Sequence, residues 1–429
     1  QMVDDSFTAE TGISVNLQLI AAGTLLPATL AGVGPDVSMD GDPVGYGIRN
    51  AVIPLNYFDG FEEDVKPLFN EEQFVPFTVL DPDRIEYEDG TTGKDVGDVD
   101  KPYKTVNGVE RNGVVTYGIT STLDLPMRFY RKDIFVELGL KVPETWDDVE
   151  SVIRALSENQ LEMGFSQALT QIYMYQSDVD WFKSSYDYEN YTGDYTDREY
   201  LRTVGVASNL DSNGALDAFQ RMTEWFTLYG EPVTYDFANR FRTGEMPIAI
   251  ASYTLYNQLR VFAPEIAGLW EFVQLPGVER EDGTINHTSP ITPHAVMMMK
   301  DAADDISDGQ DFTESPKAQK AWQYIKWWVS TPTQERFGKE QVAIMGTAAK
   351  YNTANIEALT GQSWTSQEKR NLEQQFKSLK GTPMSPGNYI VARYTNFAFY
   401  AVINDDEVPS EAMLGYVDDI NNELTRKRD

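Results

Sequence analysis

The sequence predicts an α/β protein with two lobes, and three observations support this fold class. The chain has 429 residues, which is too long for one small core and makes two lobes the default. Residues 246–251, MPIAIA, form an apolar run without polar alternation, as is typical of a strand buried on both faces. A helix signal with Ser252 and Thr254 as candidate N-caps follows at once and stops at Pro264. A buried strand that leads directly into a helix is the repeating unit of α/β folds.

The end of this strand is the first candidate ligand site. Open α/β sheets bind their ligands at the carboxyl ends of their strands. That position here holds Ser252, Tyr253, Thr254 and Tyr256. Hydroxyls, helix N–H groups and two phenol rings in one corner suit a neutral polyol such as a sugar. The alternative is an ordinary strand-to-helix turn whose tyrosines pack on their neighbours.

The composition excludes several classes of function. The chain has no cysteine and only two histidines, His287 and His294, so disulfides and the usual zinc sites are excluded. A net charge of −32 disfavours binding to nucleic acid or to anionic membranes. The sequence contains no phosphate-binding loop, dinucleotide fingerprint, nucleophile elbow or zinc-protease motif. We therefore predict no catalytic residue, no metal and no cofactor.

The amino-terminal third alternates between helix and strand. Its predicted elements are a helix over residues 4–11 ended by Gly12, a strand over 13–20, a helix over 23–30 and a strand over 36–39. The strand over 13–20 is predicted from strict alternation of apolar and polar residues. The polar turn after the strand over 36–39 makes Asp40, Asp42 and Tyr46 candidate ligand contacts. Turn and cap chemistry is the ordinary explanation for the two aspartates.

Two further strands, over residues 114–119 and 127–130, flank a polar link at 120–124. We expect this link to cross between the lobes, which makes Asp124 a candidate contact. The polar residues 81–112 before it are predicted to form a hairpin-like insertion on the solvated surface.

Residues 161–200 are rich in aromatic and polar side chains. Aromatic rings stack well on the apolar face of a sugar ring, so Tyr173, Tyr175 and Trp181 are candidate stacking residues. The alternative is a tyrosine-rich segment that packs on its own lobe.

The remaining chain supplies helices and one strand. The predictions are helices over 133–138, 145–159, 212–228, 316–330 and 410–427, a strand over 295–299, and a helix capped by residues 351–355. His294, in the polar stretch before that strand, is a candidate contact. Arg393 is another, because residues 388–396 combine turn residues with hydrogen-bond donors and an aromatic ring.

Several segments together resemble one known family. They are FYRKDI at 129–134, VPETWDD at 142–148, FRTGEMPIAIA at 241–251, APEIAGLW at 263–270 and YNTAN at 351–355. This ordered set is similar to family 1 extracellular solute-binding proteins, the maltose- and oligosaccharide-binding components of ABC importers. The resemblance runs from about residue 7 to the end. It is closest to the carboxyl-terminal part of long members from Gram-positive bacteria.

The resemblance implies a two-lobed fold of the periplasmic-binding-protein type II class, in which each lobe is a mixed sheet flanked by helices. It places residues 1–118 and 257–330 in the amino-terminal lobe and residues 119–256 and 331–429 in the carboxyl-terminal lobe. The crossings then fall near 118–122, 252–256 and 330–333. The lobes would close about a hinge on an oligosaccharide.

The family likeness also implies partners and a location. It implies delivery of the ligand to ABC permease subunits by a monomer at the cell surface of a Gram-positive bacterium, as a lipoprotein, or in the periplasm. Any membrane attachment is expected to lie outside this chain.

Two other functions stay open on the sequence. One is a glycoside hydrolase or lyase, and the other is a surface adhesin or peptide-binding receptor. The charge of the ligand is open as well, since Arg128, Arg240, Arg242 and Arg393 are able to bind acidic glycans.

Overall fold

The computed structural model describes residues 1–21, 23–93, 101–166, 168–183, 207–307, 310–346, 348–385 and 387–428. Part of the predicted insertion, 94–100, lies outside the described residues. Residues 184–200 of the aromatic-rich stretch 161–200, and residues 201–206 after it, also lie outside them.

Helices make up much of the described chain. The α-helices are Ala9–Thr11, Leu25–Leu30, Pro43–Gly47, Lys132–Glu137, Trp146–Glu158, Leu169–Gln176, Asn213–Thr227, Phe237–Thr243, Leu255–Phe262, Pro316–Val329, Thr331–Met345, Ile356–Thr360, Ser366–Phe376, Asn388–Asp405 and Pro409–Arg428. None of the helices in this part of the chain is both long and apolar enough to cross a membrane.

The strands are shorter than the helices. They are Val37–Ser38, Val52–Ile53, Thr78–Ile85, Thr105–Val106, Val109–Glu110, Asn112–Thr116, Ile119–Asp124, Pro126–Arg131, Met163–Gly164, Ile248–Ser252, Trp270–Val273, Val278–Glu279, Ile285–Asn286, Ser289–Pro290, Thr292–Met299 and Leu379–Lys380.

Two four-stranded sheets organise the molecule, one in each lobe. In the first sheet, Thr292–Met299 pairs with Val37–Ser38, Val52–Ile53 and Ile119–Asp124. In the second sheet the strand order is Trp270–Val273, Pro126–Arg131, Ile248–Ser252 and Met163–Gly164. The second sheet mixes antiparallel and parallel pairs. The predicted α/β fold is therefore confirmed. The sheet of the second lobe is mixed as expected, whereas the described pairs of the first sheet are all antiparallel.

Local sequence explains why the helices flank these sheets. Thr145 accepts a hydrogen bond from Asp148 N–H, and Asp148 accepts one from Thr145 N–H, so a capping box starts the helix Trp146–Glu158. The buried face of this helix carries Trp146, Val149 and Ile153. In the first lobe, Trp322, Ile325 and Trp328 of helix Pro316–Val329 pack under the sheet, as their helical spacing predicts.

The two sheets meet where Ile119–Asp124 leads into Pro126–Arg131. Residues 352–354 run alongside the end of Ile119–Asp124, where Asn352 and Ala354 hydrogen-bond to the backbone of Leu123 and Ser121. The link predicted at residues 120–124 is thus part of a strand of the first sheet, and the chain changes sheet just after it.

The sheet pairings also differ from the division implied by the family likeness. Trp270–Val273 lies within the range 257–330 assigned to the amino-terminal lobe, yet it pairs with Pro126–Arg131 in the second sheet. The chain returns to the first sheet only between Ser289–Pro290 and Thr292–Met299.

Two local predictions are wrong. Residues 13–20 form no strand, because no neighbouring strand pairs with them, and Leu17 and Leu19 are exposed. Residues 388–396 are not a turn region but the start of helix Asn388–Asp405. Ile390, Val391, Thr395, Ala398, Phe399 and Val402 are buried along that helix at helical spacing.

Candidate functional site

One group of predicted ligand-binding residues lies together where the two sheets meet. The first lobe supplies residues from the turn after Val37–Ser38 and from the start of Thr292–Met299, and the second lobe supplies the end of Ile248–Ser252. We call this group the junction cluster, and its members are Asp40, Asp42, Tyr46, Asp124, Ser252, Thr254 and His294.

The second lobe joins the cluster through the end of its central strand. The Ser252 hydroxyl oxygen lies 2.7 Å from Oδ1 and 2.6 Å from Oδ2 of Asp124. It also lies 2.5 Å from Thr254 Oγ1, and it accepts a hydrogen bond from Thr254 N–H at 3.1 Å. Because an ionised carboxylate only accepts hydrogen bonds, Ser252 donates to Asp124 and Thr254 donates to Ser252. The two hydroxyls therefore form a chain that ends on the carboxylate.

The first lobe brings His294 to the same place. His294 is opposite Thr122 in the strand register, which makes it a diagonal neighbour of Asp124 on one face of the sheet. Its Nδ1 lies 3.3 Å from Oδ1 of Asp40. The side chains of His294 and Asp40 are 52% and 74% exposed, so both are open to a ligand from solvent.

Burial sets the charge behaviour of the cluster. Partial burial raises the pKa of the Asp124 carboxyl above its ordinary value, against the lowering by the Ser252 hydroxyl and the Leu125 N–H. The nearby His294 lowers this pKa as well. Burial also raises the pKa of Tyr46, and the carboxylates of Asp42 and Asp40 raise it further.

Asp42 has a structural task beside its place in the cluster. Its Oδ1 accepts a hydrogen bond from Gly45 N–H at 2.9 Å and so caps the helix Pro43–Gly47. The cap chemistry considered for Asp42 is therefore present. Tyr46, on the helix that Asp42 caps, is half-buried near both Asp40 and Asp42.

The predicted stacking residues Tyr173 and Tyr175 lie elsewhere. Tyr173 is 1% exposed, its hydroxyl accepts a hydrogen bond from Trp225 Nε1 at 2.7 Å, and its ring packs against Trp146. Tyr175 is also buried, with its hydroxyl 2.7 Å from Thr382 Oγ1. Neither ring has an exposed face for a sugar, and Tyr173 follows the alternative of packing on its own lobe.

Tyr253 and Tyr256 are also buried. The Tyr253 hydroxyl donates to the carbonyl oxygen of Leu123 at 3.2 Å, which fixes the ring under the junction cluster. Tyr256 packs edge-on against Trp270 and Trp364 in the core of the second lobe. The two phenol rings of this corner therefore support its backbone and offer no stacking face.

Two predicted contacts are more exposed but have no contact with the cluster. Trp181 is half-buried and packs against the core of the second lobe. Arg393 is exposed on helix Asn388–Asp405, with its guanidinium 5.8 Å from the centre of the Tyr389 ring.

A shallow depression beside Thr254 was not predicted. Thr254 lines it together with Asn257, Lys350, Tyr351 and Asn352, among others. The signal for it was the YNTAN segment at 351–355, which predicted a helix cap and contributed to the family resemblance but was not predicted to contact a ligand.

The lobes also touch away from the crossing strands. Glu72, beside Phe74 and Phe77 of the first lobe, accepts a hydrogen bond from Gly381 N–H at 2.8 Å. Gly381 follows the strand Leu379–Lys380, whose Leu379 is buried in the second lobe's core. The Glu72 carboxylate and the Gly381 N–H therefore form a hydrogen bond between the lobes.

The chemistry of the junction cluster favours binding over reaction. Carboxylates, hydroxyls and an imidazole accept and donate hydrogen bonds to the hydroxyls of a polyol. Within the described residues, no group of three or more His, Cys, Asp or Glu side chains is arranged to hold a metal ion.

Comparison with known proteins gives a family match. The profile of a family described as bacterial extracellular solute-binding protein matches residues 2–367. Among curated protein sequences, none matches the chain.

Solved structures with similar folds cover nearly the whole chain. The sugar-binding protein MalE from Xanthomonas citri has a TM-score of 0.69 at 16% identity, over 100% of this chain and 94% of that one. A cyclo/maltodextrin-binding protein complexed with maltotetraose has a TM-score of 0.65 at 15% identity, over 98% and 91%. An ABC substrate-binding protein from Listeria monocytogenes in complex with cycloalternan has a TM-score of 0.62 at 16% identity, over 98% and 94%. At these identities the likeness shows the fold.

Proposed function

The chain belongs to the family of bacterial extracellular solute-binding proteins, and from this premise we propose that it binds an oligosaccharide at the junction cluster. The family consists of binding proteins and not of enzymes, so the hydrolase or lyase alternative is set aside. The solute, the residues that hold it and its destination are the parts proposed here.

The main support for the proposal is that both lobes contribute residues to the junction cluster. Asp40 and His294 belong to the first lobe, while Ser252 and Thr254 belong to the second, and Asp124 lies at the crossing. A ligand that hydrogen-bonds to both halves has a higher affinity for the closed arrangement than for an open one. Only such a difference in affinity shifts an equilibrium between two conformations.

Sugar is the solute that these groups suit best. Saccharide hydroxyls both donate and accept hydrogen bonds, and they match oriented acceptors such as Asp124 with donors such as His294. The structural neighbours that were solved with maltotetraose or cycloalternan are oligosaccharide complexes on the same fold. The exposed Tyr389 and Arg393 are further candidate contacts for a ligand of several units.

The destination follows from the type of protein. We propose that the chain delivers its ligand to the permease subunits of an ABC importer outside the cell or in the periplasm, held at the membrane by a lipid anchor where one is present. A monomer is expected, because a net charge of −32 disfavours self-association.

Titration calorimetry across a panel of neutral oligosaccharides tests the proposal. We expect at least one ligand to bind. Asp124→Asn should lower the affinity for that ligand by tenfold or more, because a hydrogen bond to a charged group contributes about 1.5–3 kcal/mol. Asp147→Asn is the matched control: it removes the same charge from an exposed carboxylate on helix Trp146–Glu158, outside the cluster. Absence of binding to every saccharide, or equal loss in both variants, contradicts the proposal.

A further inference from the structure

We propose that the junction cluster takes saccharides without acidic groups, and that Asp124 is the residue that rejects acidic ones. This inference rests on the proposed function, since it concerns the same site. It resolves the question of ligand charge, which the four arginines leave open on the sequence.

The junction cluster carries more acidic than basic side chains. Asp40, Asp42 and Asp124 are three carboxyl groups, and His294 is the only basic side chain among the cluster's members. His294 is already 3.3 Å from Asp40. A uronate or sulfate bound here would face three carboxyl groups, and like charges at such distances repel more strongly where water is partly excluded.

Of the three carboxylates, Asp124 should repel a bound anion most strongly. It is half-buried, whereas the Asp40 side chain is 74% exposed and Asp42 is exposed. Solvent screens an exposed charge, so a ligand anion is repelled most by the buried one. Ser252 donates its hydroxyl hydrogen to Asp124 and Thr254 donates its own to Ser252, so neither has a free O–H for an anion.

The arginines that kept acidic glycans open are engaged away from the cluster. Arg128 is buried and donates to the carbonyl oxygen of Pro143. Arg240 pairs with Glu162 and Glu245.

The other two arginines are also accounted for. Arg242 lies 3.3 Å from Glu265 and against the ring of Phe262. Arg393 is exposed beside Tyr389, on a helix that contributes no residue to the cluster.

Lys350 lines the same depression as Thr254. Its Nζ donates to the carbonyl oxygen of Ser363 at 2.6 Å and lies 3.1 Å from the Ser363 hydroxyl. It also lies 4.5 Å from the centre of the Trp364 ring. Lys350 is buried and committed to these contacts, so it does not supply a free charge to a ligand.

The test compares neutral and acidic tetrasaccharides by titration calorimetry. The neutral probes are maltotetraose, cellotetraose, mannotetraose and xylotetraose, and the acidic probes are tetragalacturonate, tetramannuronate and a hyaluronan tetrasaccharide. We expect at least one neutral probe to bind and every acidic probe to bind at least tenfold more weakly. Asp124→Asn should raise the affinity for the acidic probes at least threefold and so narrow that gap, while Asp147→Asn, with the same net charge, leaves it unchanged.

The possible outcomes are distinct. An acidic probe that binds as tightly as the best neutral one overturns the inference and leaves the proposed function standing, above all if Arg393→Ala abolishes its binding. A gap that both variants narrow equally also overturns it, because the repulsion then comes from the overall charge. Absence of binding by every probe overturns the proposed function itself.

Discussion

The hydroxyl oxygen of Ser252 lies within 2.7 Å of both carboxylate oxygens of Asp124. Ser252 ends the central strand of the second sheet, and Asp124 ends a strand of the first sheet. The contact therefore joins the two lobes by a hydrogen bond next to the covalent crossing. A hydrogen bond to a charged acceptor is stronger than one between neutral groups. The same contact holds the carboxylate that we assign to ligand binding.

Replacement of this serine tests the contact. Ser252→Ala should lower the free energy of unfolding by about 1–3 kcal/mol, because a partly buried carboxylate loses a hydrogen bond from a hydroxyl. Urea denaturation measures this change. The control is Ser151→Ala, at an exposed serine on helix Trp146–Glu158, where alanine has the higher helix propensity. Equal stability of the two variants would show that the Ser252 contact contributes nothing to the free energy of unfolding.

The raised pKa of Asp124 gives a pH dependence with a definite sign. A carboxyl whose pKa is higher in the folded protein favours folding when protonated, and this contribution is lost as the pH rises from the ordinary carboxyl pKa through the raised one. Asp124→Asn should therefore stabilise the ligand-free protein at pH 7 and change little at pH 3. Urea denaturation at both values measures the difference. A stabilisation that is larger at pH 3 would contradict the burial of this carboxyl.

Glu231 offers a second and independent pH prediction. Burial raises its pKa to about 7, and its Oε2 accepts the N–H of Met163 at 2.8 Å. The stabilising contribution of the protonated group is complete below the ordinary pKa near 4.5 and is lost as the pH rises through about 7. Glu231→Gln keeps an acceptor for Met163 and should stabilise the protein on the order of 1–3 kcal/mol at pH 8.

The Glu231 prediction is checked by comparing unfolding at pH 8 and pH 5. The gain should shrink toward pH 5, where the native carboxyl is mostly protonated. Glu162 and Arg240, which lie near this group, contribute in opposite directions and are unchanged in the variant. A gain that does not depend on pH would indicate a packing effect without titration.

The lobe contact at Gly381 predicts a large effect from one methyl group. A Cβ at this position would overlap the carbonyl oxygen of Glu72 and lie 2.7 Å from Val75 Cβ. Gly381→Ala should therefore cost about 1–3 kcal/mol of stability through overpacking. Gly415→Ala is the control, because that glycine lies within helix Pro409–Arg428 with no atom near the added methyl, and alanine should stabilise it by about 1 kcal/mol. Thermal or urea unfolding measures the stability of both variants. Unchanged stability of Gly381→Ala would mean that the lobes separate at this contact without a cost in free energy.

The corner at residues 252–254 was predictable because its signals are local. An apolar run with a hydroxyl at its end and a helix after it fixes where Ser252 and Thr254 lie relative to their own strand. The strand end at Asp124 was not predicted, because the sequence placed the strand at 114–119 and a link between the lobes at 120–124. The contact of His294 with Asp40 was not predictable as a pair, since it depends on the register of Thr292–Met299 in the first sheet.

The tyrosines show where local reading fails. Tyr173 and Tyr253 are of the residue type that stacks on sugars. The ring of Tyr173, however, is enclosed by Trp146 and Trp225, and the ring of Tyr253 lies in the second lobe's core. Whether a ring is covered depends on residues distant in sequence. The membership of Trp270–Val273 in the second sheet is likewise a matter of long-range pairing, which a local pattern does not contain.

The most direct measurement is a crystal structure of the protein with the tightest-binding neutral tetrasaccharide from the panel. The account predicts a sugar hydroxyl within hydrogen-bond distance of the Asp124 carboxylate, with further contacts from His294 on one lobe and Thr254 on the other. A sugar that contacts only one lobe, or that lies away from Asp124, would contradict the assignment of the junction cluster as the binding site.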